Sequence, residues 1–134
     1  MKSGFTLVEL IAVIIILGIL SSVGIPQYRR AMERARGAEA YAGMAHLQEA
    51  EKLYYVVNEK YLVGAPPLDA AVQGQLDISL PQTGWSFAVI ATDISKDFMA
   101  TAVRMTGPCM GGTIKVDNRG TIADAWKLCV DALQ

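Results

Sequence analysis

The sequence predicts an α+β fold in which one long N-terminal helix, about residues 5–60, packs on a small antiparallel sheet of about four strands. In the N-terminal part, apolar residues recur at steps of three or four without a stop signal, which is typical of a helix. In the C-terminal part, short runs of aromatic and β-branched residues alternate with turn residues, which is typical of strands. The length of 134 residues suits one small domain.

The helix begins in the most apolar part of the chain. Of all residues, 52% are hydrophobic, and the excess is concentrated before Tyr28, since no charged side chain occurs from Leu10 to Tyr28. At about 1.5 Å per residue, residues 5–28 are long enough to cross a hydrocarbon core of roughly 30 Å. We therefore predict one membrane span. Basic residues lie on both sides of it, so the positive-inside rule leaves its orientation open.

A cleaved secretory signal, ending near Ser21 and Ser22, and a plain membrane anchor are the alternatives to consider. Neither explains Glu9, a carboxylate at the start of a stretch that otherwise excludes charge. An unpaired charge at the centre of a membrane costs on the order of 2.5 to 3.5 kcal/mol on insertion scales. Glu9 therefore indicates a functional partner.

The residues Lys2-Ser3-Gly4-Phe5-Thr6-Leu7-Val8-Glu9-Leu10 resemble the processing site of type IV prepilins. Shared features are a short basic leader that ends in glycine, a phenylalanine, and a glutamate at the fifth position counted from that phenylalanine. The resemblance continues through Gly18 and the run Ile25-Pro26-Gln27-Tyr28, so it covers about the first 30 residues closely. Beyond them it concerns architecture alone, a type IV pilin fold.

The resemblance implies cleavage between Gly4 and Phe5 by a prepilin peptidase, which also N-methylates the new amino group of Phe5. It further implies that this amine pairs with Glu9 of a neighbouring subunit in a helical homopolymer. Such a pair is physically coherent, because opposite charges neutralise each other in apolar surroundings where a lone charge is costly. A slip between subunits would leave both charges unpaired, so the pair would also fix their axial register.

A kink is expected around residues 22–26. Pro26 lacks an amide hydrogen and its ring crowds the carbonyl of Ser22, while Gly18 weakens the preceding helix. In the family this region can bend or partly lose its helix on assembly. A static bend in an anchor is the alternative.

After Tyr28 the helix is predicted to continue into the head, with one apolar stripe for the sheet to pack on. The stripe consists of Ala40, Met44, Leu47, Ala50, Tyr54, Val57 and Tyr61. The charged residues expected to face away from it are Glu33, Glu39, Glu49, Glu51 and Lys52. Tyr54, Tyr55 and Tyr61 are assigned to packing, and the single histidine, His46, to the surface or to packing rather than to a ligand site.

Residues 63–84 are expected to connect the helix to the sheet, with a short extended edge piece at 76–81. The expected strands are Trp85 to Thr92, Phe98 to Met105, Thr113 to Val116 and Thr121 to Ala125. A hairpin-type turn at 117–120 joins the last two.

Two cysteines, Cys109 and Cys129, are too few for a metal-site pattern, so they form one disulfide or remain two buried thiols. Export to an oxidising space favours the disulfide. The family resemblance implies the same bridge, which in many pilins pins the C-terminal segment.

Charge and motifs argue against other functional classes. The net charge is −1, from 12 basic and 13 acidic residues mixed along the chain, which does not suit an electrostatic nucleic-acid platform. No nucleophile elbow, phosphate-binding loop or metal-ligand spacing occurs, so we expect no enzyme and no cofactor. A less favoured alternative is a metal-binding site formed by Asp117, Asn118, Asp124 and Asp131.

The expected function is therefore that of a structural subunit of a type IV pilus, serving adhesion, motility or DNA uptake. One alternative is a pseudopilin of a type II secretion system, which shares the leader and the helix. The cysteine pair and the lack of an acidic C-terminal calcium loop favour the pilin. Another is a minor pilin that captures DNA or a surface, with five scattered bases, expected to be exposed, as candidates: Lys96, Arg104, Lys115, Arg119 and Lys127.

The resemblance also implies three functional segments of the chain and a set of partners. Residues 1–4 would be the cleaved leader, 5–28 the half of the helix that spans the membrane or forms the fibre core, and 29–134 the head. The precursor would lie in the inner membrane and then leave it for an extracellular pilus. Besides copies of the chain itself, the implied partners are the peptidase, an inner-membrane assembly platform and its ATPase.

Overall fold

The computed structural model describes residues 5–81 and 83–133 and contains one long helix, two short ones and one sheet. In chain order these are α1 (Leu7–Asn58), α2 (Ala70–Gln75), β1 (Trp85–Ile90), β2 (Met99–Arg104), β3 (Thr113–Asp117), β4 (Thr121–Asp124) and α3 (Ala125–Ala132). The predicted α+β arrangement, a long N-terminal helix on a four-stranded antiparallel sheet, is confirmed.

The 52 residues of α1 form one uninterrupted helix, within two residues of the predicted bounds at each end. Thr6 caps its N-terminus. Its C-terminal cap is Glu59 in a left-handed conformation (φ 55°), whose amide donates to the carbonyl of Tyr55 at 2.8 Å. A left-handed residue is a common way to end a helix, because it turns the chain while satisfying a terminal carbonyl.

All four strands were predicted within two residues of their observed bounds. They pair in the order β1-β2-β3-β4, each antiparallel to the next, with Phe87 opposite Ala102 and Ala102 opposite Ile114. A register shift between Lys115 and Val116 interrupts the pairing of β3 with β4. Side chains alternate along each strand, so one face of the sheet covers α1.

The core lies between this face and the second half of α1. From the helix it takes the buried side chains Ala40, Met44 and Leu47. From the sheet it takes Trp85, Phe87, Val89, Ala100, Ala102, Ile114 and Val116. The predicted stripe is thus confirmed in its first three members.

The distal end of the stripe differs from the prediction. Ala50 and Tyr54 are only partly buried, and Val57 is 76% exposed. Tyr61 is buried as predicted, but it lies beyond the helix and stacks on Tyr55 and against Phe98. Ala50, Tyr54 and Val57 lie inside α1, so helical period alone does not bury them, whereas Tyr61 reaches the core from the segment after the helix.

Two of the glutamates that were predicted to face away, Glu33 and Glu51, are buried instead, at 1% and 0% exposure. Glu33 pairs with Arg104 on β2, and Glu51 accepts a hydrogen bond from the amide of Leu62. For Glu33, a partner 71 positions away offsets the cost of burying the carboxyl group, and helical periodicity carries no information about such partners.

The connection from α1 to β1 contains α2, which was not predicted. Asp69 caps this helix by accepting from the amide of Val72 at 2.8 Å. The prediction of a short extended edge piece at residues 76–81 was wrong, since this described segment contains no strand. The side chain of Gln73 organises the region, donating to the carbonyl of Leu68 and accepting from the amide of Leu80.

The C-terminal helix α3 was also not predicted, and the expected fourth strand is one residue shorter because Ala125 begins this helix. Asp124 caps α3 by accepting from the amide of Lys127 at 2.8 Å. On its inner side α3 carries the buried residues Trp126 and Val130. The helix therefore adds a small third element to the core beside α1.

Candidate assembly site

The first half of α1 presents an uncovered apolar surface. Its large apolar side chains between Leu7 and Ile25 are 44% to 75% exposed, and Phe5 is 90% exposed. Within the described residues, α1 is the one helix long and apolar enough to cross a membrane, and none of its most apolar 18-residue window is buried. An apolar surface of this size is covered by lipid or by other protein in a working molecule.

Glu9 lies at the start of this surface, inside a reciprocal cap with Thr6. The carboxylate oxygen Oε2 accepts from the amide and the hydroxyl of Thr6 at 2.9 and 2.8 Å, and the amide of Glu9 donates back to that hydroxyl at 3.3 Å. A capping box of this kind satisfies helix-end donors that have no partner inside the helix. It also holds the carboxylate at the N-terminal end of the apolar helix, against Thr6, the residue that follows Phe5.

The predicted cleavage site lies at the edge of what the structure describes. Gly4 is outside the described residues, so the cut between Gly4 and Phe5 stays a prediction. Phe5 itself precedes the helix, and its side chain contacts little of the chain. The N-methylation of Phe5 and its pairing with Glu9 of a neighbour likewise stay predictions.

The predicted kink region is helical in this structure. Gly18 and Pro26 both lie within the uninterrupted α1, and the hydroxyl of Ser22 donates to the carbonyl of Ile19 at 2.7 Å. A β-carbon added at Gly18 or Gly24 would have nothing within 4 Å apart from its own chain neighbours and the adjacent turns of the helix backbone. Packing within the chain therefore gives no reason for these two glycines, and their role in bending or in contacts with other molecules stays a prediction.

The end of the sheet nearest the apolar part of α1 is held to this helix by a buried ion pair that sequence reasoning missed. Arg104 donates from Nε and Nη2 to the two carboxylate oxygens of Glu33 at 3.2 and 3.1 Å, and from Nη1 to the carbonyl of Gly84 at 2.8 Å. Arg36 adds a contact of 3.3 Å to the same carboxylate. The Arg104 guanidinium also lies 5.5 Å from the ring centre of Trp85. The helix is thus fixed against β2 where it leaves the apolar segment.

The buried indole of Trp126 docks α3 on α1 at a glycine. A β-carbon built on Gly37 would lie 1.8 Å from Cη2 of Trp126, so only glycine allows this approach. The indole meets Tyr41 and Trp85 edge to face, with ring centres 5.8 and 5.6 Å apart. Burial, together with a hydrogen bond from the Tyr41 hydroxyl to Asp124, raises the pKa of Tyr41.

Cys109 and Cys129 form a disulfide, with Cα atoms 5.8 Å apart. The bridge joins the loop after β2 to α3, and Cys109 is 1% exposed. The disulfide, one of the two alternatives that the sequence left open, is confirmed. The bridge therefore holds α3 in place together with the packing of Trp126, which lies on the same helix.

The residues of the alternative metal-binding site are engaged with other partners. Asp117 accepts from the amides of Arg119 and Gly120, Asp124 caps α3, and Asp131 lies 3.7 Å from Arg34. Among the described residues, no group of three His, Cys, Asp or Glu side chains could hold a metal ion.

The candidate DNA-binding bases do not form one exposed set. Lys96 pairs with Asp93 at 2.7 Å, and Arg104, predicted to be exposed, is 1% exposed in its pair with Glu33. Arg119 and Lys127 are exposed and Lys115 is half-buried. Arg104 is buried, contrary to the prediction, because it lies on the inner face of β2.

Comparisons with known proteins agree with this geometry. The family model "Prokaryotic N-terminal methylation motif" matches residues 1–25. The chain is 29% identical to the type II secretion system core protein G of Aeromonas hydrophila over 92% of its own length and 86% of the relative's. It is also 29% identical to a fimbrial protein of Pseudomonas aeruginosa, over 85% and 74% of the two lengths. To the core protein G of Klebsiella pneumoniae it is 30% identical, over 63% and 69%.

Proposed function

Since the chain belongs to the type IV pilin family, we propose that it is a structural subunit of a type IV pilus that polymerises through its apolar N-terminal helix. The observation that carries this proposal is the exposed surface of α1 between Leu7 and Ile25. In the precursor, lipid of the inner membrane covers that surface. In the fibre, the same surface of other copies replaces the lipid.

Exchange of lipid for protein is physically feasible because the surface is apolar all round. Apolar contacts between helices do not require a particular partner side chain, so one segment suits both environments. Glu9 supplies the specificity that such contacts lack. Its carboxylate accepts from the amide and hydroxyl of Thr6 in the single chain and would take the Phe5 amine of a neighbour in the fibre.

The functional division of the chain follows from the same proposal. Residues 1–4 are a leader removed by the prepilin peptidase, which N-methylates Phe5, and residues 5–28 are the membrane or core segment. Residues 29–134 form the head, which the Glu33–Arg104 pair and the disulfide hold together. An assembly platform and its ATPase would extract the subunit from the membrane. The subunit's role is structural, and we propose no catalytic function.

A pseudopilin of a type II secretion system is the second candidate, supported by similarity to two core G proteins. Sequence identity does not separate the candidates, since a core G protein and a fimbrial protein both match at 29%. The Cys109–Cys129 bridge favours the pilin, because it resembles the bridge that closes the C-terminal segment of many pilins.

Fractionation of cells tests the proposal. Abundant surface fibres built mostly of this chain and released by shearing are the expected result. Confinement of the chain to the periplasm would support the pseudopilin instead. Normal fibres that lack the chain as a main component, together with loss of DNA or surface capture when it is deleted, would support a minor binding subunit.

A further inference from the structure

Glu51 is a completely buried carboxyl group that the assembly proposal does not use. It lies on α1 about two turns before the helix ends, with 0% exposure. Its Oε2 accepts from the amide of Leu62 at 2.9 Å. Within the part of the chain that the structure describes, its other oxygen has no hydrogen-bond partner.

The segment that Glu51 contacts is the first stretch of chain after α1, residues 61–64, here named the post-helix segment. On its other side this segment is bonded to the sheet region. The amide of Tyr61 donates to the carbonyl of Ile94 at 2.7 Å, and Gly64 and Val89 exchange two bonds of 2.9 Å. Glu51 is thus the anchor on the helix side of a segment that runs between helix and sheet.

None of the ion pairs found among residues 5–81 and 83–133 includes Glu51. This part of α1 faces the end of β3 and the loop between β1 and β2, since Gln48 donates to the carbonyl of Asp117 and Tyr55 to that of Ser95. On α1 itself the neighbouring charges, Glu49 and Lys52, are exposed.

Charged groups on the facing elements are engaged among themselves. Asp117 accepts from two amides of its own turn, and Asp97 accepts from the amides of Thr92 and Asp93. Lys96 pairs with Asp93. The nearby side chains of Tyr54, Tyr55 and Tyr61 end in phenol hydroxyls and bring no positive charge. An ionised Glu51 would therefore be a buried charge without a countercharge, which is a costly state.

We propose that Glu51 is a pH-sensitive latch, whose neutral carboxyl group holds the post-helix segment to α1 and whose ionisation releases it. A neutral acid keeps an oxygen for the amide of Leu62 and carries no charge to be desolvated. Once ionised, the group is drawn toward water, and the amide of Leu62 loses its acceptor. The contact between the post-helix segment and α1 then opens, while the bonds of Tyr61 and Gly64 to the sheet region remain.

The pH window follows from the environment of the group. Burial raises the pKa of Glu51 to about 7, opposed by the hydrogen bond from Leu62. An unfolded glutamate titrates at about 4.3. Because the folded pKa is the higher one, the stabilising effect of the neutral group is fully present below the unfolded value and is lost as the pH rises through the folded value.

Amide hydrogen exchange of the full chain in detergent micelles tests the latch. The exchange rate of Leu62 is measured at pH 6 and pH 8 and corrected for the intrinsic effect of pH. We expect the protection of Leu62 to fall about tenfold, following the neutral fraction of a group that titrates near 7. Core amides such as that of Ala102 should keep their protection. Equal protection of Leu62 at both pH values would overturn the proposal.

Two variants complete the test. Glu51→Gln keeps an oxygen acceptor and cannot ionise, so the pH dependence at Leu62 should disappear. Glu49→Gln, an exposed position on the same helix, should leave it unchanged. If the Glu51→Gln variant does not fold, the carboxyl ¹³C shift of Glu51 is titrated in the unmodified chain. A midpoint between about pH 6 and 8 supports the latch, and one near the ordinary value of about 4.3 contradicts it.

Discussion

Arg104 on β2 and Glu33 on α1, 71 positions apart in the sequence, form a two-point ion pair with nitrogen–oxygen distances of 3.2 and 3.1 Å. Both residues are 1% exposed. The pair lies just beyond the apolar segment, where the helix first meets the sheet. The pair therefore ties the helix to the sheet at this point.

Removing one partner of this pair should destabilise the head strongly. Glu33→Ala leaves the guanidinium of Arg104 buried without its carboxylate, and we expect the free energy of unfolding to fall by about 3–5 kcal/mol. The double variant Glu33→Leu, Arg104→Met removes both charges and should lose clearly less than the single variant. Chemical denaturation of the chain in detergent measures both.

A matched surface pair gives the control for this prediction. Arg34 lies 3.7 Å from Asp131, with side chains 61% and 55% exposed. Arg34→Ala should therefore change the free energy of unfolding by no more than about 1 kcal/mol. Similar losses for Arg34→Ala and Glu33→Ala would show that burial does not set the strength of the Glu33–Arg104 pair.

Substitution of Gly37 should undock α3. A β-carbon at this position would overlap the ring of Trp126, so Gly37→Ala should cost about 1–3 kcal/mol and change the near-ultraviolet circular dichroism of the tryptophans. Gly74→Ala on α2 is the control, because its β-carbon would meet nothing within 4 Å. That variant should be neutral or stabilised by up to about 1 kcal/mol. An unchanged tryptophan signal in Gly37→Ala would contradict the docking role of the glycine.

Loss of the disulfide should weaken the C-terminal part of the head. Its cysteines are separated by 20 positions, and closing a loop of that size contributes about 3 kcal/mol in the chain-entropy model. Replacing Cys109 and Cys129 together by serine should lower the free energy of unfolding by about this amount. The unmodified chain under reducing conditions should lose a similar amount. If neither treatment changes stability, the bridge does not constrain the unfolded chain as proposed.

Fibre formation should depend on the charge of Glu9. Glu9→Gln keeps the size of the side chain and its oxygen acceptor for Thr6 but removes the charge that would pair with the Phe5 amine. We expect membrane levels close to normal and at least a tenfold loss of sheared fibres, measured by quantitative immunoblotting of both fractions. The control variant Glu49→Gln changes an exposed residue in the second half of α1, so its subunits should assemble normally. Normal fibre yield from the Glu9 variant would rule out the charge pair as the assembly determinant.

The sequence predicted those parts of the molecule that local patterns determine. Alternating apolar residues from Trp85 onward were enough to place the strands, and the uninterrupted apolar and alanine-rich run was enough to place α1. The short helix α3 was missed because its residues, Trp126 and Val130 among them, also fit a strand. Its one clear signal was Asp124, which caps the helix three residues before Lys127.

Burial of charge could not be predicted in the same way. Glu33 and Glu51 occupy positions that a solvated helix face would also give to a glutamate. Their burial depends on Arg104 and on the backbone of Leu62, which only the folded chain brings near them. The assembly residues are the opposite case. Glu9 stands out in the sequence because charge is excluded around it, whereas its proposed partner belongs to another copy of the chain.

The most direct test of the central claim is the intact mass and N-terminal residue of the protein in sheared cell-surface material, under non-reducing and reducing conditions. We predict a chain that begins at N-methylated Phe5 and gains about two daltons on reduction, as expected when one disulfide takes up two hydrogen atoms. A chain that begins after Ser21 or Ser22, or one that keeps Met1 and stays in the membrane fraction, would contradict the proposal that this protein is a processed pilus subunit.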